Sequence, residues 1–145
     1  MRKQEIIEDI RVRAGKGLIG ILDRSKKRIY VDIKKEILTK IARYLCNDEK
    51  ARFVTTSGVD TRGTIEMLYH FSFDCIGLII TLRVILDKKE KLEIESLTGI
   101  MKCAEWIERE IHEMFGVDFK GHPNLKHLLL KDDWPEKNYP LRRDN

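Results

Sequence analysis

The middle third of the chain alternates apolar and mostly polar residues with a period of two. Successive side chains of a strand point to opposite faces, so this alternation predicts a strand with one buried face. Further strands are predicted at 52–57, ending at Gly58, at 78–86, where apolar residues on both faces indicate a covered strand, and at 92–94. The apolar positions of the alternating strand are Ile65, Met67, Tyr69, Phe71 and Phe73.

On both sides of this region the apolar residues recur every three to four positions, which is the spacing of an amphipathic helix. One helix is predicted over about 34–46 and another over about 101–115. Gly116 follows the second helix, where a residue that readily adopts a positive φ favours helix termination.

The first third predicts a hairpin after a charged beginning. Residues 18–22 and 28–33 flank a polar turn, which is typical of two antiparallel strands. Residues 2–11 carry isoleucines at helical spacing and form either a short amphipathic helix or an arm that docks on a partner.

The last thirty residues contain all three prolines and no periodicity. The chain is therefore predicted to be α+β, an antiparallel β-sheet with helices packed on one face, followed by an extended C-terminal tail. We place the core domain at 1–116 and the tail at 117–145. Apolar residues on an extended segment need burial, so we expect the tail to lie against other chains, with few contacts to its own domain.

Charge and cysteine content narrow the class of protein. The chain has 28 Lys and Arg against 24 Asp and Glu, and the signs are interleaved, which argues against nucleic-acid binding. Cys46, Cys75 and Cys103 form no C-x-x-C pair, which argues against a disulfide framework and a metal cluster. The longest uncharged run, 75–82, is far shorter than the roughly 20 residues of a membrane helix, so we expect membrane association only through partners.

Two short motifs have ordinary structural explanations. The run from Gly15 to Gly20 matches G-x-G-x-x-G, but a helical segment precedes it and a strand follows, so the glycines are expected to serve backbone bends. His122 and His127 flank a proline in a segment without a third metal ligand at suitable spacing, so structural or interface roles are predicted.

The charged helix near residue 108 leaves two hypotheses open. Glu108, Glu110 and His112 could serve acid–base chemistry in a stand-alone small enzyme. Alternatively these residues lie on a solvated face, where Glu105 and Arg109 form an i,i+4 ion pair.

Four linked elements stand in order over about forty residues: an E-R-E helix ending in F-G, a G-H-P-x-L turn, a Leu-rich stretch and a final P-L-R-[KR]-D. Together they resemble the signature of the 30-kDa subunit family of respiratory complex I and the related energy-converting hydrogenases, over roughly residues 30–144. The signature and interface residues are Trp106, Glu108, Arg109, Glu110, Phe115, Gly116, Gly121, His122, Pro123, Leu125, Leu128, Leu129, Leu130, Trp134, Tyr139, Pro140, Leu141, Arg142, Arg143 and Asp144.

The resemblance implies a non-catalytic scaffold in a peripheral arm on the cytoplasmic side of the cell membrane, with no cofactor of its own. Its partners would be a [NiFe]-type large subunit and a cluster-bearing small subunit, which hold the iron–sulfur clusters and any [NiFe] centre. The short chain favours an archaeal ferredoxin-linked hydrogenase or reductase coupled to ion translocation, and a quinone-reducing NADH dehydrogenase is the alternative. Glu108, Arg109 and Glu110 are expected to bind the tail or a partner through charged hydrogen bonds.

Overall fold

The computed structural model describes residues 2–144 and contains a five-stranded sheet in the order β1-β2-β5-β4-β3. Neighbouring strands are antiparallel except β2 and β5, which are parallel. The parallel pair arises because the helical segment after β2 carries the chain to the far edge of the sheet, and β3 and β4 then lead back. The strands are β1 (Leu18–Ser25), β2 (Arg28–Ile33), β3 (Arg52–Asp60), β4 (Thr64–Phe73) and β5 (Leu78–Asp87).

Within residues 2–144, three α-helices accompany the sheet: α1 (Arg2–Ala14), α2 (Leu38–Arg43) and α3 (Ala104–Phe115). The helix predicted over 34–46 is irregular, since a 3-10 turn precedes α2 and a π-helical turn, Tyr44–Asp48, follows it. Of the two alternatives for the N-terminus, the amphipathic helix is confirmed. Its isoleucines are buried in the core, and they are Ile6, Ile7 and Ile10.

The core lies on one face of the sheet, against all three helices, and the predicted α+β class is confirmed. Val31, Leu82 and Tyr69 are cross-strand neighbours on β2, β5 and β4, and all three are fully buried. The opposite face is polar at its centre, where Arg83 pairs with Asp32 at 3.0 Å. The alternation of apolar and polar residues along the strands therefore determines which face of the sheet is buried, as the sequence predicts.

Strand β3 runs two residues past Gly58, so the predicted strand end there is wrong. A Cβ atom on Gly58 would lie 2.7 Å from the ring of Phe115. The missing side chain thus lets α3 approach β3 closely, and the strand continues through the glycine.

The first residues of the predicted tail belong to the core. Strand β7 (Asp118–Lys120) pairs in parallel with β6 (Glu93–Glu95), and Val117 and Phe119 are buried. Residues 121–144, called the C-terminal segment below, contain no helix or strand.

Candidate functional site: helix α3 and the C-terminal segment

Helix α3 buries two carboxylates beside its apolar residues. Glu108 and Glu113 are 0% and 3% exposed, and Ile111 and Phe115 lie on the same buried side. The helix ends at Gly116, whose φ of +79° and N–H bond to the His112 carbonyl confirm the predicted glycine terminus. Buried charge requires hydrogen-bond partners, so the surroundings of the two glutamates define the site.

Glu108 secures the residues that precede the helix. Its carboxylate accepts hydrogen bonds from the Ser96 hydroxyl and, at 2.9 Å, from the Leu97 N–H. Burial raises the pKa of Glu108, and the two hydrogen bonds oppose that rise. Of the two expected partners of Glu108, the tail or another subunit, the carboxylate does not bind the tail but holds the residues before the helix.

Glu113 secures the C-terminal segment. Its carboxylate accepts the backbone N–H groups of Leu129 at 2.8 Å, Leu128 at 3.0 Å and Leu130 at 3.4 Å, and it lies 3.3 Å from Nδ1 of His127. Burial alone would raise the pKa of Glu113, but these donors outweigh it and lower the pKa. Nothing in the sequence indicates this role, because the donors are backbone groups 15 to 17 residues away.

Arg109 also holds the C-terminal segment, through the two residues that precede Leu128. Its guanidinium donates from Nε to the Lys126 carbonyl at 3.0 Å and from Nη2 to the His127 carbonyl at 2.6 Å. The helix is thus joined to the segment by charged hydrogen bonds, in the fork geometry that suits Arg. The predicted ion pair between Glu105 and Arg109 does not form, because the guanidinium is directed to these two carbonyls.

The histidines also bind backbone groups. His122 donates from Nε2 to the Glu105 carbonyl at 2.9 Å, because its Nδ1 accepts the Asn124 N–H. His112 donates from Nδ1 to the Val117 carbonyl at 2.8 Å. Each of these contacts stabilises an irregular stretch next to α3.

The end of the chain returns to the end of α3. Arg142 donates to the Phe115 carbonyl at 3.0 Å, one of the last carbonyls of the helix, and pairs with Asp144 at 2.7 and 2.8 Å. The Arg143 N–H donates to the buried Asp60, which also pairs with Lys88. The P-L-R-R-D sequence therefore ties the chain end to both α3 and β3.

The prediction that the tail makes few contacts with its own domain is wrong. Glu113, Arg109 and Arg142 hold the segment at its middle and at its end. An irregular segment exposes backbone donors and acceptors, and α3 supplies a carboxylate, a guanidinium and terminal carbonyls to satisfy them. The apolar side chains of the C-terminal segment are buried to different extents.

Several signature residues stay on the surface despite these contacts. Trp106, Leu129 and Leu141 are 67%, 63% and 55% exposed. Among the signature residues, only two are buried, Glu108 and Phe115. The partly buried ones are Arg109, Glu110, Gly116, His122, Leu125, Leu128, Leu130, Trp134, Tyr139 and Arg142. The exposed ones are Trp106, Gly121, Pro123, Leu129, Pro140, Leu141, Arg143 and Asp144.

The acid–base triplet does not converge. Glu108 is enclosed by Ser96 and Leu97, whereas Glu110 and His112 line different cavities, of about 230 and 420 Å³. The structure therefore does not bring the three side chains to one reaction centre.

Two further features of the described residues concern cofactors and membranes. Within residues 2–144 no group of three or more His, Cys, Asp and Glu side chains could hold a metal ion. The helices in that range are all too short or too polar to cross a bilayer.

Two solved structures share this fold. One is a chain of an archaeal membrane-bound sulfane sulfur reductase, described as a respiratory membrane complex, with a TM-score of 0.84, 23% identity, and coverage of 99% of this chain and 85% of that one. The other is a trypsin-resistant fragment of Nqo5, with a TM-score of 0.70, 21% identity, and coverage of 86% and 100%. The matches define the chain as an α+β domain of the Nqo5 type.

Sequence comparison gives the family. Residues 31–145 match the family described as the respiratory-chain NADH dehydrogenase 30 Kd subunit, and the chain belongs to this family. An NADH-quinone oxidoreductase subunit of Citrifermentans bemidjiense is 34% identical, over 86% of this chain and 80% of that protein. Its counterpart in Roseiflexus sp. is 32% identical, over 96% and 81%. The chain is thus a subunit of a complex I-like oxidoreductase.

Proposed function

We propose that this chain is a non-catalytic scaffold in the peripheral arm of its complex, and that α3 and the C-terminal segment form its docking surface. The observation that carries the proposal is that Leu129 is 63% exposed although its N–H is fixed by Glu113. A surface whose backbone is already ordered loses little conformational entropy on binding. Trp106 on α3 and Leu141 on the C-terminal segment also have exposed apolar side chains.

The hydrogen bonds of this region support the scaffold role. Glu108 ties the loop before α3 to the helix, and Glu113 and Arg109 tie the segment after it. Electron transfer between clusters in neighbouring subunits requires fixed separations, which a rigid wedge beside those subunits helps to maintain. The partners would be a [NiFe]-type large subunit and a cluster-bearing small subunit.

For the type of complex, we favour a ferredoxin-linked hydrogenase or reductase coupled to ion translocation, on the cytoplasmic side of the membrane. The fold similarity to the archaeal sulfur reductase chain, with a TM-score of 0.84 over 99% of this chain, supports this choice. The second candidate is a quinone-reducing NADH dehydrogenase. It is favoured by the relatives named as NADH-quinone oxidoreductase subunits, of which the first is 34% identical.

The test is affinity purification of the tagged full chain from membranes of its own host in mild detergent. We expect a large subunit and a cluster-bearing small subunit to co-purify, and the isolated complex to oxidise reduced ferredoxin. Oxidation of NADH with quinone as acceptor would favour the second candidate. Recovery of the chain alone, under conditions that keep other membrane complexes intact, would contradict the scaffold role.

A matched pair of substitutions locates the docking surface. Leu129→Asp places a charge on the proposed surface, and Val12→Asp makes the same change on α1, where Val12 is 80% exposed. We expect Leu129→Asp to lower the yield of complex several-fold, with near-normal activity per assembled complex, and Val12→Asp to leave the yield unchanged. Equal yields for both variants would show that Leu129 does not lie in a docking surface.

A further inference from the structure

A small cavity lies between β3 and α3, at the edge of the sheet. Its volume is about 230 Å³, which is below the roughly 300–1,000 Å³ of typical small-molecule sites. Its walls are mostly apolar, and three polar residues, Thr56, Ser57 and Glu110, also line it. The apolar walls are formed by Ile107, Ile111, Met114, Phe115 and Leu141.

The Ser57 hydroxyl lies 3.1 Å from Nε2 of His70, whereas Thr56 and Glu110 lack partners within residues 2–144. Thr56 is 3% exposed, and its hydroxyl oxygen makes no hydrogen bond there. Glu110 is partly buried, and its carboxylate makes neither a hydrogen bond nor an ion pair with the described residues. The other two glutamates of this helix, Glu108 and Glu113, are each fully engaged. A buried hydroxyl without a protein partner is uncommon in a folded protein and is commonly satisfied by a bound water, so the Glu110 carboxylate is the group that calls for a partner of opposite charge.

We propose that this cavity receives an arginine side chain of the adjacent large subunit. The inference rests on the proposed scaffold function and specifies one contact of its docking surface. The apolar walls suit the aliphatic stem of Arg, and the Glu110 carboxylate suits its guanidinium. Arg fits better than Lys because its head is planar, weakly hydrated and carries several fixed donors.

The location supports a partner side chain over a free small molecule. Strand β3 is an edge strand of the sheet, so the cavity is within reach of a neighbouring subunit. Leu141, which lines the cavity, is also one of the exposed apolar residues of the docking surface. A water molecule could satisfy Thr56 as well, but it would leave the carboxylate without a counter-charge.

The first experiment compares Glu110→Gln with Glu105→Gln in the tagged complex. Both changes remove one negative charge from α3, and Glu105 does not line the cavity. We expect Glu110→Gln to reduce the bound large subunit about tenfold or more, and Glu105→Gln to have little effect. Thermal unfolding of the isolated chain should be unchanged by Glu110→Gln, which excludes a folding defect.

The second experiment identifies the partner residue. A photo-crosslinking amino acid at position 110 should couple to a large-subunit peptide that contains an arginine. Glu110→Arg should then prevent assembly, and changing that arginine to Glu in the same complex should restore it. Assembly of Glu110→Gln at the wild-type level, or crosslinking to a peptide without arginine, would overturn the inference while leaving the scaffold function in place. Failure of the wild-type chain to co-purify with any large subunit would instead contradict the scaffold function itself.

Discussion

The Glu113 carboxylate lies 2.8 Å from the backbone nitrogen of Leu129. With the neighbouring N–H groups of Leu128 and Leu130, it forms a cluster in which three consecutive backbone donors converge on one buried anion. A side chain of α3 thus sets the conformation of a segment that has no regular secondary structure. The exposed Leu129 side chain is presented from this fixed backbone.

Loss of the Glu113 carboxylate should release the C-terminal segment while the sheet stays folded. Glu113→Gln replaces one acceptor oxygen by an amide donor, so we expect a loss of about 1.5–3 kcal/mol in the local opening free energy. Amide hydrogen exchange at Leu128–Leu130, at neutral pH, measures this quantity. Glu136→Gln, on an exposed residue, is the control and should change little. Unaltered protection of the three amides in Glu113→Gln would contradict the role of the carboxylate.

The same contact should depend on pH. The folded structure lowers the pKa of Glu113, so the carboxylate binds its proton less readily there than in the unfolded chain. Its stabilisation is therefore complete above the ordinary Glu pKa of about 4.3, and it is lost as the pH falls through the lower folded value. Amide chemical shifts of Leu128–Leu130 followed by NMR should titrate below about 4.3. Glu113→Gln should abolish that titration, and a midpoint at or above the ordinary value would count against it.

Arg109 should not be replaceable by Lys. Lys places one ammonium where the fork of Arg reaches two carbonyls, those of Lys126 and His127. We expect Arg109→Lys to cost about 0.5–1.5 kcal/mol and Arg109→Ala about 1–3 kcal/mol in unfolding free energy. Denaturant unfolding measures both, with Arg11→Ala as the control, since Arg11 forms an exposed i,i+3 pair with Glu8. Equal stability of the Arg and Lys chains would show that the fork is unimportant.

Gly116 and Gly121 allow strain to be separated from steric conflict. Both have a positive φ, +79° and +81°, but a Cβ on Gly116 would lie 2.5 Å from the ring of Tyr139, whereas one on Gly121 meets nothing within 4 Å. Gly121→Ala should therefore cost about 1 kcal/mol for the backbone alone, and Gly116→Ala about 2–3 kcal/mol. Thermal or denaturant unfolding of the two variants gives the comparison. Similar losses would mean that Tyr139 moves aside readily.

The strands and helices of this protein could be predicted from local patterns to a large extent. The alternation from Ile65 to Phe73 predicts β4 because each side chain reports its own face of the strand. The apolar period and Gly116 predict α3 and its end for a similar reason. The predicted end of β3 at Gly58 is wrong because a glycine is compatible with either a turn or the close packing of another element. Here the packing partner is Phe115, which is far along the chain, so the local sequence does not reveal it.

The α+β class, the main elements and, through the signature around Trp106 and Arg142, the family all follow from the order of residues along the chain. The burial of particular charged groups, and the partners they bind, depend instead on tertiary packing. Glu108, Glu110 and Glu113 look alike in the sequence, yet one holds the preceding loop, one faces a cavity and one holds the C-terminal segment. Hydrophobic periodicity is a local property of the chain, so it predicts helices and strands but not the partners of buried charged groups. The partner of a buried carboxylate is a donor brought near by folding, and here that donor is a backbone group that almost any residue type would supply.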